Sequence, residues 1–100
     1  MKDLLQHINK QFENRIRLGI MSILMVNDRI DFNSLKEYLQ VTDGNLSSHL
    51  AALEKAAYIE VRKSFIGKKP NTSYAATENG RAAFQAHLNA LEEFIKKQNS

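Results

Sequence analysis

The chain has no cysteine and only one proline among its 100 residues. The absence of cysteine excludes disulfides, thiolate zinc sites and thiol-based redox or metal sensing. The longest apolar run, from Gly19 to Val26, is interrupted by Ser22 and is far shorter than the roughly 20 residues that span a bilayer. The first residues lack the long apolar core of a signal peptide. We therefore expect a soluble, cytoplasmic protein with no membrane partner.

The chain also lacks a strong excess of charge. Its net charge is +3, and a surplus of this size is weak evidence for a nucleic-acid partner. The distribution of charge is more informative, because residues 57–71 contain four basic residues and a single acidic one, Glu60. The length and the ordinary hydrophobic and charged content predict one folded domain over residues 1–100. A domain this short buries a small share of its surface, which favours dimerisation as a further source of stability.

The spacing of apolar residues predicts a series of helices. Residues 3 to about 27 carry apolar side chains at helical spacing, which predicts one bent helix or two successive ones. Asp31 is suited to cap a short second helix, and Thr42 to cap a third that ends near Ala56. The buried side of this third helix is predicted to consist of residues at i, i+4 and i+7: Leu46, Leu50 and Leu53.

The pattern changes after the third helix. β-branched and aromatic residues in 58–66 predict a partly buried strand, Gly67–Asn71 a hairpin tip, and 72–76 the returning strand. Thr77 is suited to cap a last helix of about twenty residues, and Arg29-Ile30 could add a third strand. The predicted fold class is mainly α with a small β-hairpin (α+β), in the order helix-helix-helix-hairpin-helix. This arrangement is a winged helix-turn-helix.

The outer side of the third helix indicates a DNA contact. With its leucines buried, the opposite face is expected to present Asn45, Ser48 and Ala52, with Ser47 and His49 on the flanks. These short polar groups fit a major groove, and the helix N-terminus suits phosphate. An ordinary solvated helix face explains the same residues equally well. Gly44 favours DNA slightly, since a close DNA backbone would explain a costly glycine, although a local packing need would do so too.

The hairpin supplies a second indication. Lys68 and Lys69 lie at its predicted tip, and Arg62 and Lys63 lie on the strand that leads there. Such a basic wing can reach a phosphate backbone or a minor groove beside the third helix. Alone, it would be interpreted as a solubilising charged turn. Following the helix pair, it favours DNA binding.

Three blocks in this order carry a family resemblance: residues 41–59 (VTDGNLSSHLAALEKAAYI), 63–70 (KSFIGKKP) and 77–84 (TENGRAAF). Residues 32–84 resemble winged-helix regulators of the MarR/ArsR type, closest to compact stand-alone winged-helix DNA-binding proteins. The resemblance implies a sequence-specific double-stranded DNA-binding transcriptional regulator, which we expect to be a repressor. The implied DNA contacts are Thr42, Asn45, Ser47, Ser48, His49, Lys68 and Lys69. Ala75 and Ala76 depart from the family pattern, which often has a basic residue and a leucine there.

The terminal segments suggest a homodimer. Residues 1–12 and 78–98 carry apolar stripes beyond what a small core needs, and we expect them to pack against a second copy. The stripe residues are Leu4, Leu5, Ile8, Phe84, Leu88, Leu91 and Ile95. The alternative is that both segments fold back on their own domain. A two-fold dimer would place its recognition helices about 34–36 Å apart and bind a pseudopalindromic site.

Other functional classes have little support. The three histidines, His7, His49 and His87, share no helix-ligand spacing, so no metal site or cofactor is predicted. There is no phosphate-binding glycine motif, and Ser48-His49 is no catalytic dyad, so we do not expect an enzyme. The main alternative is a winged-helix protein-interaction module, which should present apolar anchors on the third helix. A small-molecule effector, if one exists, would have to bind at the dimer interface or through a partner.

Overall fold

The computed structural model describes residues 2–98, and side chains from residue 5 onward. Among the described residues, five α-helices and three strands follow the predicted order, which confirms the predicted fold class. The elements are α1 (Lys2–His7), a 3₁₀ turn (Lys10–Phe12), α2 (Arg15–Met25), β1 (Ile30–Asp31), α3 (Phe32–Leu39), α4 (Asp43–Lys55), β2 (Ile59–Ile66), β3 (Lys69–Ala76) and α5 (Glu78–Gln98). Within residues 2–98, no helix has both the length and the apolar character to cross a membrane.

Residues 2–25 form three helical segments, and not the one bent helix or two helices predicted from the sequence, because two asparagines interrupt the helical path. The side chain of Asn9 accepts the backbone N–H of Gln11 at 2.8 Å and starts the 3₁₀ turn. The side chain of Asn14 accepts the N–H groups of Ile16 and Arg17 at 2.9 and 3.1 Å and starts α2. Each asparagine satisfies helix N–H groups that would otherwise lack a partner, so a new helical segment begins after it.

Local caps also define the helix-turn-helix. The Asp31 carboxylate accepts the N–H of Ser34 at 2.7 Å at the start of α3, and the Thr42 hydroxyl accepts the N–H of Asn45 at 3.2 Å at the start of α4. Both predicted caps are confirmed. Gln40 ends α3 with a left-handed φ of 56°, so only residues 40–42 separate α3 from α4. This short turn places α4 directly beside α3.

The sheet has the strand order β1-β3-β2 and is antiparallel throughout. Ile66 pairs with Lys69, so the hairpin turn contains only Gly67 and Lys68, and the predicted five-residue tip is too long. Gly67 has φ +64°, a conformation that permits so tight a turn. Residue pairs in an antiparallel ladder alternate between hydrogen-bonded and non-hydrogen-bonded. Ile66 and Lys69 form the hydrogen-bonded pair that closes the turn, so the next pair, Phe65 and Pro70, exchanges no hydrogen bond, and β3 tolerates a proline there.

One core joins the helices to the sheet. Its completely buried side chains come from α2, α3, α4 and the 3₁₀ turn: Phe12, Ile20, Met21, Leu24, Leu35, Leu46 and Leu53. The ring of Phe12 lies 5.1 Å from the rings of both Tyr58 and Phe84, centroid to centroid. The core therefore holds α4 beneath the hairpin and fixes the start of α5 to both.

Candidate nucleic-acid interface

The outer face of α4 is composed of small and polar side chains. Leu46, Leu50 and Leu53 are at most 3% exposed, which confirms the predicted buried side. Thr42, Asn45, Ser47 and Ser48 are all exposed, as expected. Of the three residues predicted opposite the leucines, Ala52 is wrong, because it is half-buried on a flank while Ala51 is exposed. At about 100° per residue, the direction opposite the three leucines falls on Gly44, Ser48, Ala51 and Lys55.

Gly44 lies at the centre of this face, in the first turn of α4. A Cβ atom added at Gly44 would meet no atom of the described residues within 4 Å. Its φ is not in the left-handed region, so the backbone does not require glycine. Neither packing nor backbone conformation therefore requires glycine at this position. What glycine provides is a helix face without a side chain.

A groove of about 500 Å³ separates α4 from the hairpin. Ser47, Ala51 and Glu54 line it from α4, and Lys63 and Tyr74 line it from the sheet. Burial, and secondarily the Glu54 charge, raise the pKa of the Tyr74 hydroxyl above its ordinary value. The groove thus offers hydroxyl groups and one lysine to an anion, while Glu54 disfavours an anion in its own vicinity.

The other flank of α4 is occupied by Arg17, a residue that sequence analysis missed. Its Nε donates a hydrogen bond to His49 Nδ1 at 3.0 Å, and its Nη1 donates to Gln11 Oε1 at 2.8 Å. Burial and the neighbouring Arg17 charge lower the pKa of His49. His49 is therefore neutral at pH 7 and carries its proton on Nε2, the nitrogen left for an external acceptor. No local pattern could have indicated this pair, because 32 positions separate its members.

The hairpin, called the wing from here on, is residues 59–76. Its four predicted DNA-contacting residues are all exposed: Arg62, Lys63, Lys68 and Lys69. They do not share one side of the sheet. Lys63 pairs with Thr72 on the face that lines the groove, whereas Arg62 pairs with Ser73 on the opposite face. The structure therefore places Lys63 beside α4 and Lys68 at the turn, with Arg62 and Lys69 on the far face.

Two apolar side chains at the end of the wing are exposed. The strand predicted over residues 58–66 is partly buried, as expected, but its burial is confined to the end near the core, since Phe65 is 72% exposed and Ile66 is 66% exposed. The first residue of the strand, Ile59, is buried, with only 2% of its surface exposed. The strand is longer than the core beneath it, so its far half projects into solvent.

The only acidic side chain of residues 57–71 is paired. Arg29, just before β1, forms an ion pair with Glu60 and donates a hydrogen bond to Ser73 Oγ at 3.2 Å. The negative charge of Glu60 is thereby partly compensated at the base of the wing. From Val61 to Ala76 the sequence contains no aspartate or glutamate, so every charged side chain in the projecting part of the wing is basic.

The terminal helices pack together within the chain, yet leave an apolar stripe uncovered. α1 lies against α5, with His7 beside Ala86 and Ala90. A different side of α5 carries Leu88, Leu91 and Ile95, which are 39%, 36% and 60% exposed. Leu5 is 56% exposed and Ile8 is half-buried, while the side chain of Leu4 lies outside the described residues.

Phe84 does not belong to this outer stripe. It is 3% exposed and lies in the core against Phe12, so its placement at a dimer interface needs correction. The stripe begins on a part of α5 that still covers the core and continues past the end of the core. Only its later members therefore reach the surface.

His87 fastens α5 to the segment after α1. Its Nδ1 accepts the backbone N–H of Asn9 at 3.0 Å, and Asn9 Nδ2 donates to the Tyr58 hydroxyl at 2.8 Å. Burial lowers the pKa of His87, although the Glu13 carboxylate opposes this shift. Among the described side chains, no three histidine, aspartate or glutamate residues are grouped as metal ligands would be.

Comparisons with known proteins agree with this architecture. An uncharacterised protein of Methanocaldococcus jannaschii is 36% identical over 87 residues, which cover 87% of this chain and 95% of that protein. A transcriptional regulator homologue from Pyrococcus horikoshii superposes with a TM-score of 0.89 at 28% identity, covering all of both chains. A MarR-family transcriptional regulator from Silicibacter pomeroyi shares the fold, with a TM-score of 0.65 and 16% identity over 97% of this chain and 64% of that one.

The family assignment follows from most of the chain. Residues 16–95 match the family described as winged helix DNA-binding domain. This match includes α2, the helix-turn-helix, the wing and most of α5, and it confirms the resemblance inferred from the three sequence blocks. It also agrees with the expectation that the protein is a regulator and not an enzyme. The chain belongs to the winged helix DNA-binding domain family.

Proposed function

We propose that this protein is a homodimeric, sequence-specific regulator of transcription that binds double-stranded DNA and acts as a repressor. α4 enters the major groove, and the wing contacts the adjacent backbone or minor groove. The observation that carries the proposal is the outer face of α4 before its last turn, where Gly44, Ser48 and Ala51, with Asn45 beside them, present no bulky or apolar anchor. A helix with so slim a face can approach base edges closely.

Each polar group has a role in this arrangement. Asn45, Ser47 and Ser48 are short enough to hydrogen-bond with base edges, and the free N–H groups at the start of α4, next to Thr42, suit a phosphate. His49 can donate from Nε2 to a phosphate or to a base acceptor. These contacts lie within the first two turns of α4, which is the part of a recognition helix that reaches base edges.

The basic groups flank this helix on both sides. Lys63 and Lys68 lie on the wing side, and Arg17 lies on the other flank. Lys55, in the last turn of the outer face, lines one shallow depression together with Arg17 and Gln11. Arg62 and Lys69 lie on the far face of the wing, away from α4. They can contact phosphates only if the wing lies across a DNA groove, with one strand of the duplex on each side of it. A track of this kind can follow the phosphates on both sides of the inserted helix.

The uncovered stripe of α5 supports the homodimer. Leu88, Leu91 and Ile95 recur at helical spacing on one side, and a second α5 helix could cover them. A two-fold pair would present two α4 helices to half-sites one duplex turn apart, about 34–36 Å, and select a pseudopalindromic sequence. Any effector would act by changing this spacing. The cytoplasmic location stays a prediction from the sequence.

The alternative, a protein-interaction module without DNA binding, would be favoured by apolar anchors on α4. The exposed side chains of α4 contain none. DNA binding is therefore the function that this surface supports best.

The test is a fluorescence anisotropy titration of a labelled, randomised duplex pool at several salt concentrations, followed by selection of the preferred site. We expect binding that falls steeply with salt, because basic side chains displace counterions. The double variant Lys68→Ala/Lys69→Ala should weaken binding to every duplex and reduce the salt slope by about one to two units. Lys96→Ala/Lys97→Ala, with the same change of charge at the far end of α5, is the matched control and should leave the slope unchanged. No binding at low salt would refute the proposal.

A further inference from the structure

The end of the wing exposes two large apolar side chains without a covering element in the described part of the chain. Phe65 and Ile66 are 72% and 66% exposed and directly precede the Gly67-Lys68 turn. The stripe proposed for the dimer lies on another element, α5. Exposed neighbouring hydrophobic residues at the tip of a projecting hairpin indicate a contact with something outside the protomer.

The register of the hairpin separates these two residues. Phe65 pairs with Pro70, two positions beyond the Lys63–Thr72 pair, so its side chain shares the face that lines the groove against α4. Ile66 pairs with Lys69 and shares the opposite face. Of the two, only Phe65 lies on the side on which α4 presents its outer surface.

The charge around Phe65 favours a polyanion. Lys63 lies on the same face and Lys68 lies in the turn, while the one acidic residue that lines this side, Glu54, belongs to α4 and not to the wing. A partner must therefore be anionic at its rim and apolar where the ring enters. Double-stranded DNA has this combination, with phosphates on the outside and stacked bases and sugar walls within each groove.

We propose that Phe65 is a minor-groove wedge. With α4 in the major groove, the wing reaches the neighbouring minor groove, where the phenyl ring enters between the sugar walls and partly unstacks one base step. Pyrimidine–purine steps unstack most easily, so the wedge adds specificity for such a step at a fixed distance from the bases that α4 contacts. Lys63 and Lys68 then lie near the phosphates on either side. This inference rests on the proposed function.

The experiment compares Phe65→Ala with Ile66→Ala on the duplex selected by the wild-type protein. Both residues are exposed neighbours on one strand, so both variants should fold, which circular dichroism checks. Phe65→Ala should weaken binding about tenfold, as loss of an aromatic contact to bases does. Its salt slope should equal that of the wild type, because no phosphate contact is removed. Ile66→Ala should change affinity less than about threefold, in keeping with a side chain on the far face.

A fluorescent base reports the unstacking directly. 2-Aminopurine placed in turn at each position flanking the α4 half-site should brighten at one step with wild-type protein and stay dark with Phe65→Ala. Equal losses for the two variants, a changed salt slope for Phe65→Ala, or no bright position would overturn the wedge while leaving DNA binding intact. A change in sedimentation of DNA-free Phe65→Ala would overturn it in favour of a protein contact. Absence of wild-type binding would refute the proposed function itself.

Discussion

Replacing Gly44 by alanine should make the protein more stable and its DNA complex weaker. Gly44 is in the first turn of α4, its φ is ordinary, and an added Cβ would meet no atom within 4 Å. Glycine inside a helix costs about 1 kcal/mol relative to alanine. We expect Gly44→Ala to raise the free energy of unfolding by about 0.5–1 kcal/mol, since the first turn is less sensitive than the middle of a helix. For a chain of this size, Tm would rise by roughly 2–8 °C.

The DNA complex should respond in the opposite direction. The added methyl group lies at the centre of the outer face, beside the N–H groups that suit a phosphate. A displaced backbone would lose or lengthen a charge-assisted hydrogen bond, which contributes about 1.5–3 kcal/mol. We therefore expect an affinity for the preferred duplex that is lower by about tenfold or more. Thermal unfolding and fluorescence anisotropy, at equal protein concentration, measure the two effects separately.

The matched control is Ala51→Gly, the reverse change on the same exposed face. It should lower stability by about 1 kcal/mol without adding an atom that could collide with DNA. If stability alone governed binding, Gly44→Ala would bind more tightly and Ala51→Gly less tightly. A Gly44→Ala protein that is stabilised and binds DNA as well as the wild type would refute the inference that the slim face serves close approach to a backbone.

Three further predictions concern the stability of the fold and the dimer interface. Gly80→Ala should destabilise the protein by more than about 2 kcal/mol, because its Cβ would lie 1.9 Å from the Tyr58 carbonyl oxygen, and an unchanged Tm would contradict this. Burial lowers the pKa of His87, so the folded protein binds fewer protons than the unfolded chain, and stability should be lost as the pH falls below about 6.5. The free energy of unfolding of His87→Gln should depend less on pH in that range, and a pH profile identical to the wild type would exclude His87 as the cause. The pKa of His49 is shifted in the same direction, but His49 is present in both proteins and contributes equally to both profiles. Leu91→Glu should give the sedimentation of a monomer with unchanged helix content, because the side chain is 36% exposed, whereas the control Gln85→Glu should remain dimeric. Two dimeric proteins in that comparison would place the interface elsewhere.

Much of the fold could be predicted because the interactions that define it are local in sequence. The Asp31 and Thr42 side chains each cap a helix by accepting an N–H three residues later, and Thr77 accepts the N–H of Gly80 at 2.8 Å in the same way. The spacing of Leu46, Leu50 and Leu53 likewise depends only on the helical repeat. Such signals are complete within a few residues, so they can be recognised before any tertiary contact is known.

Only the tertiary structure shows which of the predicted surface residues are exposed and which are buried in the core. The apolar stripe of α5 looks uniform in the sequence, but Phe84 meets Phe12 in the core while Leu91 lies beyond it. Arg17 reaches His49 across 32 positions, and the register of the hairpin assigns Phe65 and Ile66 to opposite faces. The sequence determines the helices, their caps and the basic hairpin, because these depend on near neighbours. The composition of the DNA-facing surface depends on contacts between distant segments, and these exist only once the core has packed.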